Sequence, residues 1–154
     1  MTWREIIRNP LLRNLPFKIE TNKFGQIVMS PTTNGQGLTQ FAVGRGIRRS
    51  KKGGQIICNC SVATIDGVKV ASVAWASDEF MVEFGEVTPY LKAPEICVET
   101  VSPANSKAEI EHKIELYLAK GALEVWVVNN QKEVTLYAHT GKLKKSKLVP
   151  KFKF

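Results

Sequence analysis

Residues Ala93–Val128 read APEICVETVSPANSKAEIEHKIELYLAKGALEVWVV, and this stretch decides the fold. Side chains in a strand alternate between faces, so within Glu95–Val101 Glu99 shares a face with Cys97 and Val101, and Ile96, Val98 and Thr100 take the other. Apolar residues on both faces predict an interior strand covered by helices. Ser102-Pro103 ends it, because proline cannot donate to a ladder. Asn105 or Ser106 can cap a helix that runs to about Lys120, with Gly121 as its stop. At about 100° per residue, Ile110, Ile114, Tyr117 and Gly121 fall in one arc, and Lys113 lies about 40° from Tyr117 on that inward side. Glu111, His112 and Glu115 point outward. One carboxylate in an apolar strand and one lysine on the apolar side of the next helix each carry a desolvation cost of several kcal/mol unless partnered. Glu99 and Lys113 are therefore either a functional site or a structural ion pair, and spacing alone leaves both open.

Working outward, 154 residues, 44% hydrophobic and 23% charged, suit one domain with one core. No apolar run approaches the roughly 20 residues needed to span a bilayer. MTWREIIRNPLL carries charges within its apolar pattern and lacks a signal-peptide core, so a cytoplasmic location is expected. The cysteines fit that compartment. Cys58 and Cys60 are expected on one strand face and Cys97 in the next buried strand, as buried thiols rather than metal ligands, since the spacing matches no zinc motif.

The basic charge is local. Arg45, Arg48, Arg49, Lys51 and Lys52 form one cluster; Lys142, Lys144, Lys145, Lys147, Lys151 and Lys153 form a second in the lysine-rich segment 142–154. Without these eleven, the net charge of +8 becomes −3. Such patches suit a polyanion such as nucleic acid, or, for the second, a solvated tail. No aromatic platform is interleaved with either.

The remaining pattern predicts a short helix over Thr2–Arg13 broken near Pro10, strands at Phe17–Thr21 and Gly25–Ser30, a polar loop Pro31–Gly37 and a helix Leu38–Arg49. A hairpin pairs Gln55–Ile65 with Val68–Ala76 across Asp66-Gly67. A short helix Asp78–Phe84 capped by Ser77 precedes the Glu99 strand, and strands Leu123–Val128 and Glu133–His139 follow the Lys113 helix. The expected fold class is α/β, a mixed sheet flanked by helices, in a single domain spanning 1–154.

Glu20–His139 resembles the Uma-two family of putative restriction endonucleases, within the PD-(D/E)XK nuclease-like superfamily. The residues that carry the likeness are Glu99, Ser102-Pro103, Lys113, Tyr117, Gly121, Glu124 and Trp126, with Ile19-Glu20, Gly25 and Val28-Met29-Ser30-Pro31 upstream. The resemblance implies a restriction-endonuclease-like core and a metal-dependent endonuclease hydrolysing DNA phosphodiesters. Glu99 would hold Mg²⁺ or Mn²⁺, Lys113 would orient or deprotonate the attacking water, and Glu20 would add an acidic group at the edge. The superfamily lysine two places after the glutamate is absent, since Val101 stands there; in this family the following helix supplies it. Nucleic acid, expected to be DNA, is the implied partner, engaged by Arg45, Arg48, Arg49, Lys51 and Lys52, and a homodimer is implied for double-strand cutting.

One departure matters. The family's Pro-Asp step aligns with Ala71-Ser72, so the second metal carboxylate is replaced by the neutral, weaker hydroxyl of Ser72. A family histidine is replaced by Gln36. Two functions follow: an endonuclease weakened at Ser72, or a catalytically inactive nuclease-fold module that binds nucleic acid or a protein partner.

Overall fold

Every residue of Ile96–Thr100 is buried, because strands flank both of its edges and packed layers cover both faces. In the computed structural model, which describes residues 1–154, this strand is β5. Before it run α1 (Trp3–Arg8), β1 (Phe17–Thr21), β2 (Ile27–Pro31), α2 (Asn34–Ser50), β3 (Gln55–Thr64), β4 (Gly67–Ala76) and α3 (Asp78–Phe84). After it come α4 (Lys107–Ala119), β6 (Glu124–Val128), β7 (Val134–Ala138) and β8 (Gly141–Leu143). β1 and β2 form a separate hairpin, and the other six strands make one sheet in the order β3-β4-β5-β6-β7-β8. β5 and β6 are parallel, joined by the α4 crossover, and the other neighbours are antiparallel. This is the expected mixed sheet with helices on both faces.

One apolar layer joins Ala74, Cys97 and Val125 of the sheet to Phe80 of α3 and Ile114 and Tyr117 of α4. The other joins Val73, Val98 and Trp126 to Val43 and Ile47 of α2 and to Val149, with Phe152 packed against it. Cys97 and Val98 thus face opposite layers, as alternation requires.

Several boundaries move for local reasons. α2 begins at Asn34 rather than Leu38, since Thr33 and Gln36 form a reciprocal capping box that outweighs the glycines of the first turn. α1 stops at Arg8, short of Arg13. The β3–β4 turn is Ile65-Asp66, with Thr64 paired to Gly67. Gly67 has φ +78°, and a Cβ there would sit 2.5 Å from the Thr21 carbonyl oxygen, so β1 passes where only glycine leaves room.

The lysine-rich end is not a free tail. Its lysines are exposed, but Leu143 lies in β8, Val149 is buried, and Phe152 meets the Trp126 ring edge-on with 4.9 Å between centroids. Lysines alternating with apolar residues anchor the backbone while leaving the charges in water.

Cys58 is a second correction: it is exposed, whereas Cys60 and Cys97 are buried. Asn59 between them has φ +55°, which breaks the pleat and sends the two neighbours to different surroundings. Burial pushes the Cys60 thiol up to about 12 and the Cys97 thiol well above its usual range, so neither is a nucleophile near neutrality.

Asp66 ties the hairpin turn to α4. His112 Nε2 lies 2.8 Å from its Oδ2, the Lys23 amide donates to Oδ1, and the Lys69 ammonium is 3.4 Å away. The His112 hydrogen bond is the main reason its carboxyl is held at about 2, with the Lys23 amide and Lys69 adding to it. A depressed folded-state pKa contributes stability above the unfolded value, lost as pH falls through the folded one. Asp66→Asn is therefore expected to lower the urea midpoint at pH 6, and to lower it progressively less as pH falls toward 2. Equal midpoints for the two proteins at pH 6 would refute this.

Candidate functional site

β4 and β5 pair from Trp75–Ile96 to Val73–Val98, and the ladder stops there, short of Ser72 and Glu99. Beyond that point the two strands part. Ser72 Oγ accepts the Thr100 amide at 3.1 Å and shares a hydrogen bond with Thr100 Oγ1 at 3.0 Å, replacing backbone pairing with a side chain. β1 lies across the N-terminal half of β4: Glu20 Oε2 accepts the Val70 amide at 2.6 Å, and Thr21 Oγ1 accepts that of Val68 at 2.8 Å. The parting strands and the crossing hairpin leave buried room for charge.

Four charged side chains fill it. Lys113 Nζ lies 2.8 Å from Glu20 Oε1, 2.9 Å from Glu20 Oε2 and 3.8 Å from Glu99 Oε1. Lys18 Nζ donates to Glu99 Oε2 at 3.0 Å, and Tyr117 OH donates to Glu99 Oε1 at 2.7 Å. The order Lys18–Glu99–Lys113–Glu20 alternates in sign and sums to zero. β1 supplies two members from positions two apart, hence from one strand face, while β5 and α4 supply the others.

The electrostatics follow from that order. Burial alone would raise the Glu99 carboxyl, but Lys18, Lys113 and the Tyr117 hydroxyl pull it below the usual range, so it is ionised at neutral pH. Burial likewise opposes charge on Lys113, and Glu99 with Glu20 overcomes it, holding the ammonium above the ordinary lysine range. Lys113 is thus a cation near neutrality. It can donate hydrogen bonds and offset negative charge, but it holds no lone pair to take a proton from water. Burial and the neighbouring Glu99 push the Tyr117 hydroxyl well up, so it remains a donor.

The cluster opens on a cleft of about 910 Å³, whose lining includes Lys18, Ser72, Glu99, Thr100 and Lys113. The N-terminal part of α2 forms another wall through Gln36 and Gln40, and α1 contributes Ile6. Gln40 donates to the Ser72 carbonyl oxygen at 2.6 Å and to Asn59 Oδ1 at 3.1 Å. The fold therefore brings together Glu20, Ser72, Glu99 and Lys113 of the expected residues. Lys18 was missed, although its spacing from Glu20 is the signal that places both on one face.

The basic residues of α2 lie elsewhere. None of Arg45, Arg48, Arg49, Lys51 and Lys52 lines the cleft; from Gln40 to Arg48 the helix rises about 12 Å. Arg48 donates to the Gly54 carbonyl at 3.1 Å and Lys51 to the Leu148 carbonyl at 3.0 Å, while Arg45 sits over the Phe41 ring. Carbonyl partners leave their charge in place, so the cluster remains a positive surface beside, not within, the site.

The donor chemistry fits a hard divalent cation: Glu99, Ser72 and Thr100 offer oxygen alone. It is thin, because no group of three or more His, Cys, Asp or Glu residues converges to hold a metal.

A sheet whose central strands part around a buried acid and lysine defines a restriction-endonuclease-like core. A solved structure of a putative nuclease belonging to DUF820 from Anabaena variabilis shares that fold, with a TM-score of 0.65 at 18% identity over 78% of this chain and 71% of that one. The chain belongs to the Uma-two family, described as putative restriction endonuclease, whose profile matches residues 8–149. No curated protein matches it. No helix is long and apolar enough to cross a membrane.

Proposed function

We propose that the protein is a divalent-metal-dependent endonuclease hydrolysing DNA phosphodiester bonds, weakened by Ser72 where the family carries an aspartate. The observation that carries this reading is the cationic Lys113 held 3.8 Å from the ionised Glu99, both lining the cleft. Glu99 would hold Mg²⁺ or Mn²⁺, with the Ser72 hydroxyl as a weak neighbour, and the ion when bound supplies charge neutralisation at the phosphate oxygens.

The chain's own residues account for the rest. Tyr117 fixes the Glu99 carboxylate, and Glu20 fixes Lys113 by gripping it with both oxygens. Lys113 orients the attacking water and offsets charge on the phosphate, the electrostatic role a preorganised cation performs best. In-line attack forms the bond from the water oxygen to phosphorus and breaks the bond to the leaving sugar oxygen, with the water's proton passing to solvent and the sugar oxygen taking one from solvent. The positive surface of α2 attracts the phosphate backbone toward the cleft from outside it. Action as a homodimer, two sites cutting two strands, and a cytoplasmic location belong to the same proposal; sedimentation equilibrium of the protein alone checks the dimer.

The test is cleavage of supercoiled DNA, and of RNA in parallel, with Mg²⁺ or Mn²⁺. Slow cleavage is expected, falling by about 100-fold or more in Glu99→Ala and in Lys113→Ala. Wild-type rates in Glu99→Ala would remove the catalytic assignment.

A second reading rests on Ser72 itself. A hydroxyl already engaged with Thr100 adds no charge to draw a cation, which favours a non-catalytic module that binds nucleic acid or a protein partner. DNA binding by the unaltered chain, with no cleavage at saturating metal, would select it.

A further inference from the structure

Both oxygens of Glu99 have partners, and the two partners differ in kind. Oε1 accepts from Tyr117, a neutral group on the buried face of α4. Oε2 accepts from Lys18, whose side chain is 18% exposed and lines the cleft. The open side of the carboxylate is thus already closed by a monovalent cation carried on β1.

We propose that Lys18 is a placeholder cation, competing with a divalent metal ion for Glu99 Oε2, so that the β1–β2 hairpin sets the metal affinity of the site. The inference rests on the reading of Glu99 as the metal carboxylate.

Charge and geometry favour it. The four charged side chains sum to zero, so a divalent cation entering beside two ammonium groups meets repulsion that no third carboxylate offsets. Lys113 cannot yield, since both oxygens of buried Glu20 grip it at 2.8 and 2.9 Å. Lys18 can: it contacts Glu99 from the cleft side, and a long flexible stem lets its ammonium swing into water or toward a substrate phosphate. An aspartate at position 72 would add the charge needed to displace it. With serine there, Lys18 keeps its hold, and metal binds weakly.

The probe is Mn²⁺ alone, titrated into the whole chain and read as free Mn²⁺ by electron paramagnetic resonance. Lys18→Met is expected to tighten Mn²⁺ binding about tenfold, because it removes the ammonium that repels the ion and occupies Glu99 Oε2. Lys18→Arg should hold near the wild-type value, and Glu99→Gln added to Lys18→Met should erase the gain. Unchanged, weaker or undetectable Mn²⁺ binding in folded Lys18→Met overturns the proposal.

A second measurement needs no mutation. Acetylation of Lys18 by a water-soluble ester, read by mass spectrometry, should rise several-fold at high Mg²⁺ in the unaltered protein, and no rise would count against competition. The two ideas separate cleanly. Tighter Mn²⁺ binding without DNA cleavage in any variant retires the nuclease reading and keeps the competition. Cleavage with Mn²⁺ affinity indifferent to Lys18 does the reverse.

Discussion

Ser72→Asp is expected to raise metal-dependent DNA cleavage on the order of 100-fold over the unaltered protein, with tighter Mn²⁺ binding alongside. The expectation comes from what the new side chain would meet. Ser72 and Glu99 line the same cleft where β4 and β5 part, so a carboxylate at position 72 adds its charge to the cavity that holds the first one. Its oxygens can accept the same Thr100 amide and hydroxyl that Ser72 engages, so the local hydrogen bonds survive the change. What is added is one negative charge, turning a neutral four-charge cluster into one with net −1. That charge opposes Lys18 and favours a divalent cation. Cleavage assays and Mn²⁺ titration of Ser72→Asp beside Ser72→Asp/Glu99→Gln check it. If Ser72→Asp neither binds metal nor cuts, the site lacks more than one ligand.

The largest loss of stability is expected at Glu124. This carboxylate is 2% exposed, yet no lysine or arginine meets it. Four donors do instead. Trp126 Nε1 reaches Oε1 at 2.9 Å and the Ser146 hydroxyl at 2.6 Å, while the Lys147 and Leu148 amides reach Oε2 at 2.8 and 3.1 Å. The same Ser146 oxygen accepts the Val149 amide at 2.9 Å. One side chain on β6 therefore pins the turn that carries the C-terminal segment over Trp126. Glu124→Ala strands several buried donors, each worth about 1–3 kcal/mol when unsatisfied, and loosens the segment that admits water to them. A loss of about 3–5 kcal/mol is expected. For a chain of this size that is a fall of roughly 10 °C in Tm. Glu124→Gln should lose less, keeping one acceptor oxygen. Chemical and thermal unfolding measure it, and a loss under about 1 kcal/mol for Glu124→Ala would show that water satisfies these donors at little cost. Because Glu124 does not line the cleft, DNA binding well below Tm should persist.

The two carboxylates illustrate different legibility. Glu99 stands out in sequence because it interrupts an apolar strand, and Lys113 because it falls in an apolar helical arc; both signals are local. Glu124 sits at the start of a strand, where a glutamate is unremarkable, and three of its four donors lie on residues 22 to 24 positions away. Lys18 is harder still. It joins Glu99 across 81 positions, and its spacing from Glu20 puts it on the same strand face but does not say which carboxylate it meets. The basic cluster is legible locally, but its position relative to the cleft is not. Five cations close in sequence lie together in space, but at the far end of α2 from the cleft, because helix rise carries them away.

Periodicity, capping residues and turn chemistry act over a few residues. The sequence alone therefore determined the order of strands and helices as far as β7, the burial of β5 and the inward turn of Lys113. Which cation meets which carboxylate, that Lys18 closes Glu99, and that Glu124 fastens the lysine-rich end were decided by tertiary structure alone. Those pairings depend on which distant segments the packed sheet brings within a few ångströms, and charge acts through space rather than along the chain.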